Sequence, residues 1–195
     1  MDNEIYDKQF MLSTLEAEVK SAEIMSKTIY SILKPKTCID VGCGPGHFAN
    51  EFKKLGKDKI SVTATDFSNY SKEFIDPSVK FMLKDLRVPF NLNKKYDVVL
   101  CLEVIEHIDK KYEDTLCKNL IDLTKKYLII TAAPPGQFGL NHVNCKPLDY
   151  WKTKFIELGL VYDEGLTYKM ISIWKNIHRG LVVNYFINNF LVFSK

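Results

Sequence analysis

Apolar residues in the stretch 12–33 fall at Leu12, Leu15, Val19, Ala22, Met25, Ile29 and Ile32. This three-and-four spacing predicts an amphipathic helix, and Pro35 ends it, since proline carries no backbone donor and crowds the preceding turn. The period then changes: Thr37–Val41 is a short apolar run, 46–55 has helical spacing, and 59–65 is apolar and β-branched again. Strand, helix and strand in that order predict a parallel sheet joined by crossover helices.

Residues 80–83 predict a third strand, and 96–102 a fourth whose almost unbroken apolar run suits a strand covered on both faces. Helical spacing over 110–123 is followed by a fifth strand at 127–131. The segment 134–147 is a loop rich in glycine, proline and asparagine, long enough to suggest a functional role. After a helix at 148–158, two β-prone runs, 168–174 and 185–194, predict a closing antiparallel pair.

With 195 residues, 46% of them hydrophobic, the chain can bury one substantial core, and no linker divides it. We expect one domain over 1–195: a helical segment at 1–34, a ligand-binding half at 35–131, and a second half at 132–195 holding the long loop and closing strands. The apolar tail around Tyr185, Phe186 and Phe190 either completes the core or forms an edge-mediated dimer, so a monomer or a homodimer is expected. No stretch approaches the roughly 18 apolar residues of a membrane span, and the first residues are polar and charged, which predicts a cytoplasmic protein without membrane contact. Five cysteines form no C-x-x-C pair, so neither a disulfide framework nor a zinc ribbon is expected. The net charge of +3 rests almost wholly on lysine, with arginine only at Arg87 and Arg179. Nucleic-acid sites favour the planar, bidentate guanidinium, so this composition speaks against a nucleic-acid partner.

Directly after the first predicted strand stands Asp40-Val41-Gly42-Cys43-Gly44-Pro45-Gly46, at the entrance to a helix. Alone, such a loop can be a tight turn without a ligand; its glycines also let backbone approach a ligand closely. Dinucleotide sites space their glycines G-x-G-x-x-G, whereas here the spacing is G-x-G-x-G and His47 stands at the later position. An acid, one residue and G-x-G-x-G resembles the first motif of class I S-adenosylmethionine-dependent methyltransferases. The resemblance continues through Asp66 in Thr65-Asp66-Phe67-Ser68, Asp85 in Lys84-Asp85-Leu86, and the run ending Cys101-Leu102-Glu103. It implies a Rossmann-like α/β three-layer sandwich, with a mostly parallel seven-stranded sheet, a C-terminal antiparallel strand pair and an N-terminal helix. It also implies S-adenosylmethionine as cofactor, held by Asp40, Gly42, Gly44 and Gly46 at the methionine end and by Asp66 at the ribose. Phe67, Asp85, Leu86, Cys101 and Glu103 complete the implied binding set, with Asp85 directed at the adenine amino group. NAD enzymes also place an acid near position 66, and a simple turn residue is the alternative reading of Asp85.

Methyl transfer from a sulfonium asks a protein mainly to align a nucleophile and exclude water. Glu103-Val104-Ile105-Glu106-His107 resembles the segment after the fourth strand in small-molecule and quinone-type O-methyltransferases, which makes His107 the first candidate base. His107 could equally hydrogen-bond a neighbouring loop. His142, after the fifth strand, is the second candidate and should share the carboxyl-end rim of the sheet. Tyr150 and Trp151 either wall an acceptor pocket or pack the core. The expected partner is a small-molecule methyl acceptor carrying a hydroxyl, or less favourably an amine, with no metal. Glu103, Glu106, His107 and His142 also resemble the metal-binding set of small-RNA 3′-terminal 2′-O-methyltransferases, which gives an alternative enzyme reading. A non-catalytic cofactor-binding partner module is the other alternative, because one fold serves many roles.

Overall fold

A computed structural model describes residues 6–13 and 16–195. Its helices are α1 (Lys8–Ser13), α2 (Glu16–Leu33), α3 (His47–Gly56), α4 (Glu113–Leu123), α5 (Leu148–Glu157), α6 (Glu164–Asn176) and α7 (Asn184–Asn188). Its strands are β1 (Thr37–Val41), β2 (Ser61–Asp66), β3 (Lys80–Leu83), β4 (Tyr96–Leu102), β5 (Thr124–Thr131), β6 (Val161–Tyr162) and β7 (Leu191–Ser194). No helix among the described residues is long and apolar enough to cross a membrane.

The helix predicted at 12–33 is divided between two helices. Leu12 belongs to α1 and is exposed, as is Val19, while Leu15 lies outside the described residues. Ala22, Met25 and Ile29 carry the buried stripe of α2, and Trp174 Nε1 donates to Thr28 Oγ1 across to α6 at 3.0 Å. Lys34 follows in the left-handed region at φ 45°, and Pro35 allows no further turn.

The seven strands lie in the order β3-β2-β1-β4-β5-β7-β6. Those from β3 to β5 are parallel, and β7 runs antiparallel between β5 and β6. This is the mostly parallel, Rossmann-like sandwich expected. Its cores fill both sides: Met25, Phe52 and Trp174 belong to one cluster, Leu116, Trp151 and Phe155 to the other. Every residue of β4 is buried, as its unbroken apolar run requires.

The closing pair is antiparallel, but its strands differ from those read in the sequence. Residues 168–174 lie in α6, and 185–188 in α7; only Leu191–Ser194 is strand, and its outer partner is Val161–Tyr162. Buried Thr167, Met170 and Trp174 stand three and four apart, so one face of α6 packs while the rest meets solvent. Asp163 caps this helix by accepting from the Leu166 N–H at 2.9 Å. Aromatic and β-branched content in the tail concealed that helical spacing.

Candidate cofactor and acceptor site

Chain order reverses at β1, whose neighbours are β2 and β4, and open α/β sheets bind ligands at such a point. Asp40 is in register with Ala64 on one side and Leu100 on the other, so the loop after β1 meets the ends of β2 and β4. The N–H groups of Gly42 and Cys43 donate to the Thr65 carbonyl at 2.8 and 3.0 Å and fasten it there. Above this point lies a cavity of about 400 Å³.

Gly42 has φ 72°, and a Cβ there would stand 2.7 Å from the Val104 side chain; Gly44 has φ 52° and open space where a Cβ would be. The first glycine is demanded by packing and the second leaves a cradle. Asp66 is buried beside it, with Oδ2 accepting from the Gly44 N–H at 2.9 Å and Oδ1 from the Ser68 N–H at 2.8 Å. Burial raises its carboxyl above the usual range, and these amides oppose the rise. Asp40 accepts from the Ala49 N–H at 3.2 Å and is pushed up to about 7 by burial, against that amide and with the charge of Asp66. Among the described residues lining the cavity, Glu18, Asp40, Asp66 and Glu103 are acids, and none is lysine or arginine. A cofactor bearing an ammonium and a sulfonium fits this charge and the Gly44 cradle.

Phe67 and Leu86 line the cavity as expected, but Asp85, Cys101 and Gly46 do not. The Asp85 carboxylate is held by Arg87, whose Nη2 donates at 2.7 Å and whose Nε donates at 2.9 and 3.1 Å. Cys101 is fully buried in the sheet core. At Gly46, the N-cap of α3, a Cβ would face Ile75 instead.

The acceptor side is built from side chains that are distant in sequence. Glu103 has φ 53°, a left-handed conformation costing of order 1–3 kcal/mol for a residue with a Cβ. Its carboxylate accepts from Gln137 Nε2 at 2.7 Å and Asn189 Nδ2 at 3.4 Å, and Asn189 also donates to Gln137 Oε1 at 2.8 Å. Glu106 is fully buried; Oε1 accepts from the Ala133 N–H at 3.2 Å, and Oε2 has no partner among the described residues. Burial, then the neighbouring charge of Glu103, push its carboxyl up to about 8. The Glu106 carbonyl takes both the Val143 and Asn144 N–H groups at 2.9 Å, which anchors the loop carrying His142.

His107 and His142 meet edge to face with ring centroids 4.9 Å apart. Burial, then His142, push His107 down to about 4, so it is neutral at pH 7. One ligand atom from each of Glu106, His107 and His142 lies within 4.8 Å of the others. Glu103 stands outside that group, tied to Gln137 and Asn189. Neither Tyr150 nor Trp151 lines the cavity: the Tyr150 hydroxyl donates to Glu113 at 2.6 Å, and Trp151 is core.

Several residues here escaped the sequence reading. Tyr6 lies 3.0 Å from His107 Nδ1, Tyr185 donates to Glu18 at 2.6 Å, and Gln137 and Asn189 hold Glu103. Only Gln137 lay in a segment already marked as functional by its length.

Residues 17–130 match the model of a family described as a methyltransferase domain. Over 142 residues the chain is 32% identical to the protein named methyltransferase 235L of Invertebrate iridescent virus 6, an overlap of 68% of this chain and 51% of that one. The chain thus spans about half the length of that curated relative. Magnesium protoporphyrin IX methyltransferase of Synechocystis PCC 6803, solved with bound S-adenosylmethionine, superposes at a TM-score of 0.60 with 18% identity, over 91% of this chain and 78% of that one. The methyltransferase domain of a bacterial Hen1 does so at 0.54 with 21% identity, over 71% and 86%. At such identities the two structures speak for the fold. Because the family match spans more than half of the chain, the chain belongs to this methyltransferase-domain family, and its sheet has the Rossmann-like fold of class I S-adenosylmethionine-dependent methyltransferases.

Proposed function

We propose that this chain transfers the methyl group of S-adenosylmethionine to a hydroxyl of a small, uncharged molecule. The observation that carries this reading is the charge of the cavity: four acids, three imidazoles and, among the described lining residues, no lysine or arginine to receive an acceptor's phosphate or carboxylate. When bound, the cofactor supplies electrophile and leaving group in one sulfonium. The loop after β1 and Asp40 hold its amino-acid end, Asp66 accepts from the ribose hydroxyls, and Phe67 and Leu86 flank the adenine. His107 is a neutral imidazole at pH 7 whose Nδ1 lies 3.0 Å from the Tyr6 hydroxyl, and with His142 it is the group that receives the acceptor proton. Its low basicity makes it a modest base, since proton transfer is most effective near the operating pH. The chain forms one domain of an enzyme that acts in the cytoplasm, as a monomer or homodimer.

A second reading is favoured by the convergence of Glu106, His107 and His142 and by the Glu106 oxygen that has no partner among the described residues. Hard oxygens and imidazoles suit a divalent cation, which with Glu103 close by could polarise an acceptor hydroxyl such as an RNA 2′-hydroxyl. Methyl transfer from labelled S-adenosylmethionine to neutral hydroxylated aromatics and to RNA, each with and without chelator, separates the readings. Turnover of a neutral acceptor in chelator supports the first. Turnover of RNA alone, lost on chelation, restored by Mg²⁺ and falling steeply with salt, establishes the second. Binding of S-adenosylhomocysteine without turnover of any acceptor leaves the non-catalytic module.

A further inference from the structure

One residue of the N-terminal segment touches both halves of the site. The Tyr6 carbonyl accepts from Ser68 Oγ at 2.8 Å, and the Ser68 N–H donates to Asp66 Oδ1 at 2.8 Å. The Tyr6 hydroxyl lies 3.0 Å from His107 Nδ1. Its ring stands edge to face against Phe67 at 5.5 Å and against Phe10 at 4.9 Å, and the residue is 7% exposed. A continuous series of hydrogen bonds and ring contacts therefore runs from the ribose acid through Ser68 and Tyr6 to His107. Tyr6, Phe10, Met11 and Ser13 also line the cavity, so the same segment covers whatever occupies it. Lys8 and Glu73 pair at 2.6 Å outside, on an exposed face where such a pair contributes little.

We propose that Tyr6 is a positioning residue whose contacts with Ser68 and His107 couple cofactor retention to the placing of the acceptor-side imidazole. Cofactor bound at Asp66 holds the Ser68 segment, Ser68 holds the Tyr6 backbone, and the Tyr6 phenol holds the His107 ring. Linkage then runs both ways: if the cofactor strengthens the Tyr6–His107 contact, that contact strengthens cofactor binding by the same factor. Orienting an imidazole through its second nitrogen is a common means of readying the first. The inference rests on the cofactor site of the proposed function, and not on the acceptor's identity.

The test is a double-mutant cycle on binding of S-adenosylhomocysteine, followed by calorimetry on Tyr6→Phe, His107→Gln and the pair, with Ser68→Ala as an independent probe. Folding of each variant is checked by its melting transition. Coupling predicts that each single change weakens binding about fivefold and that the double change costs about fivefold as well, where independent effects multiply to roughly 25-fold. Ser68→Ala, which leaves both rings intact, should weaken binding and abolish the response of the His107 ring ¹⁵N resonances to the ligand. A Tyr6 that merely packs would leave that response in place. Multiplicative losses, or an unchanged His107 response in Tyr6→Phe and Ser68→Ala, overturn the coupling while leaving the cofactor site standing. Folded wild-type protein that fails to bind S-adenosylhomocysteine overturns the proposed function and the coupling together.

Discussion

The two halves of the cavity satisfy their polar groups in opposite ways. On the proposed cofactor side, Asp40 accepts from a backbone amide of α3 and Asp66 from amides of adjacent loops, and the left-handed positions are glycines. On the proposed acceptor side, a non-glycine residue, Glu103, occupies left-handed space; its carboxylate is held by amides 34 and 86 positions away, and one Glu106 oxygen has no partner among the described residues. Backbone donors set a fixed frame for a constant ligand. Side chains gathered from three segments make a frame that can change with the acceptor, at the cost of strain and buried charge.

The largest effect that would sharpen this contrast is at Asp66. If Asp66 accepts from the ribose hydroxyls as proposed, removing this buried carboxylate should cost about 2–3 kcal/mol, so Asp66→Ala is expected to weaken S-adenosylhomocysteine binding about 100-fold by calorimetry. A loss under tenfold would mean that the backbone frame does not depend on it. Gln137→Ala is the converse: cofactor affinity should stay within about threefold, while turnover of a responsive acceptor falls about tenfold through a freed Glu103. Equal losses in both would erase the division between the halves.

A smaller effect concerns pH and stability. Asp40 and Glu106, held up to about 7 and about 8, keep protons in the folded state that the unfolded chain releases near its ordinary carboxyl range. Their unfavourable share therefore grows as pH rises toward 8. His107, held down to about 4, stays neutral where the unfolded imidazole is protonated, so it destabilises as pH falls from about 6.5 to about 4. The melting temperature should accordingly decline from pH 6.5 to 8, and Glu106→Gln should flatten that decline. A steady rise over the same interval would contradict the burial of these carboxyls. Smallest of all should be Asp85→Ala: its carboxylate is engaged by Arg87 away from the cavity, so cofactor affinity should change less than about threefold.

Much of the fold was legible in advance because its signals are local. The β1 run, the glycine loop and the fully buried β4 each follow from burial or backbone freedom acting on a few consecutive residues. The tail was misread because Leu166–Trp174 is rich in β-branched and aromatic side chains, yet it packs at helical spacing once α2 supplies Thr28 as a partner. The positions of Asp40 and Asp66 at the cavity were legible from their motif. Asp85 and Cys101 had the right spacing, but an ion pair and a core position took them from the cavity.

The sequence by itself determined the doubly covered sheet, the loop at its reversal point and a pair of histidines after β4 and β5, because strand period, glycine placement and motif spacing are properties of neighbouring residues. Only tertiary structure decided that Glu103 faces Gln137 and Asn189, that Glu106 lies buried beside His107 and His142, and that Tyr6 contacts both Ser68 and His107. These pairings join segments separated by up to 101 positions. Such contacts arise from how loops descend on the end of the sheet, which no local pattern encodes.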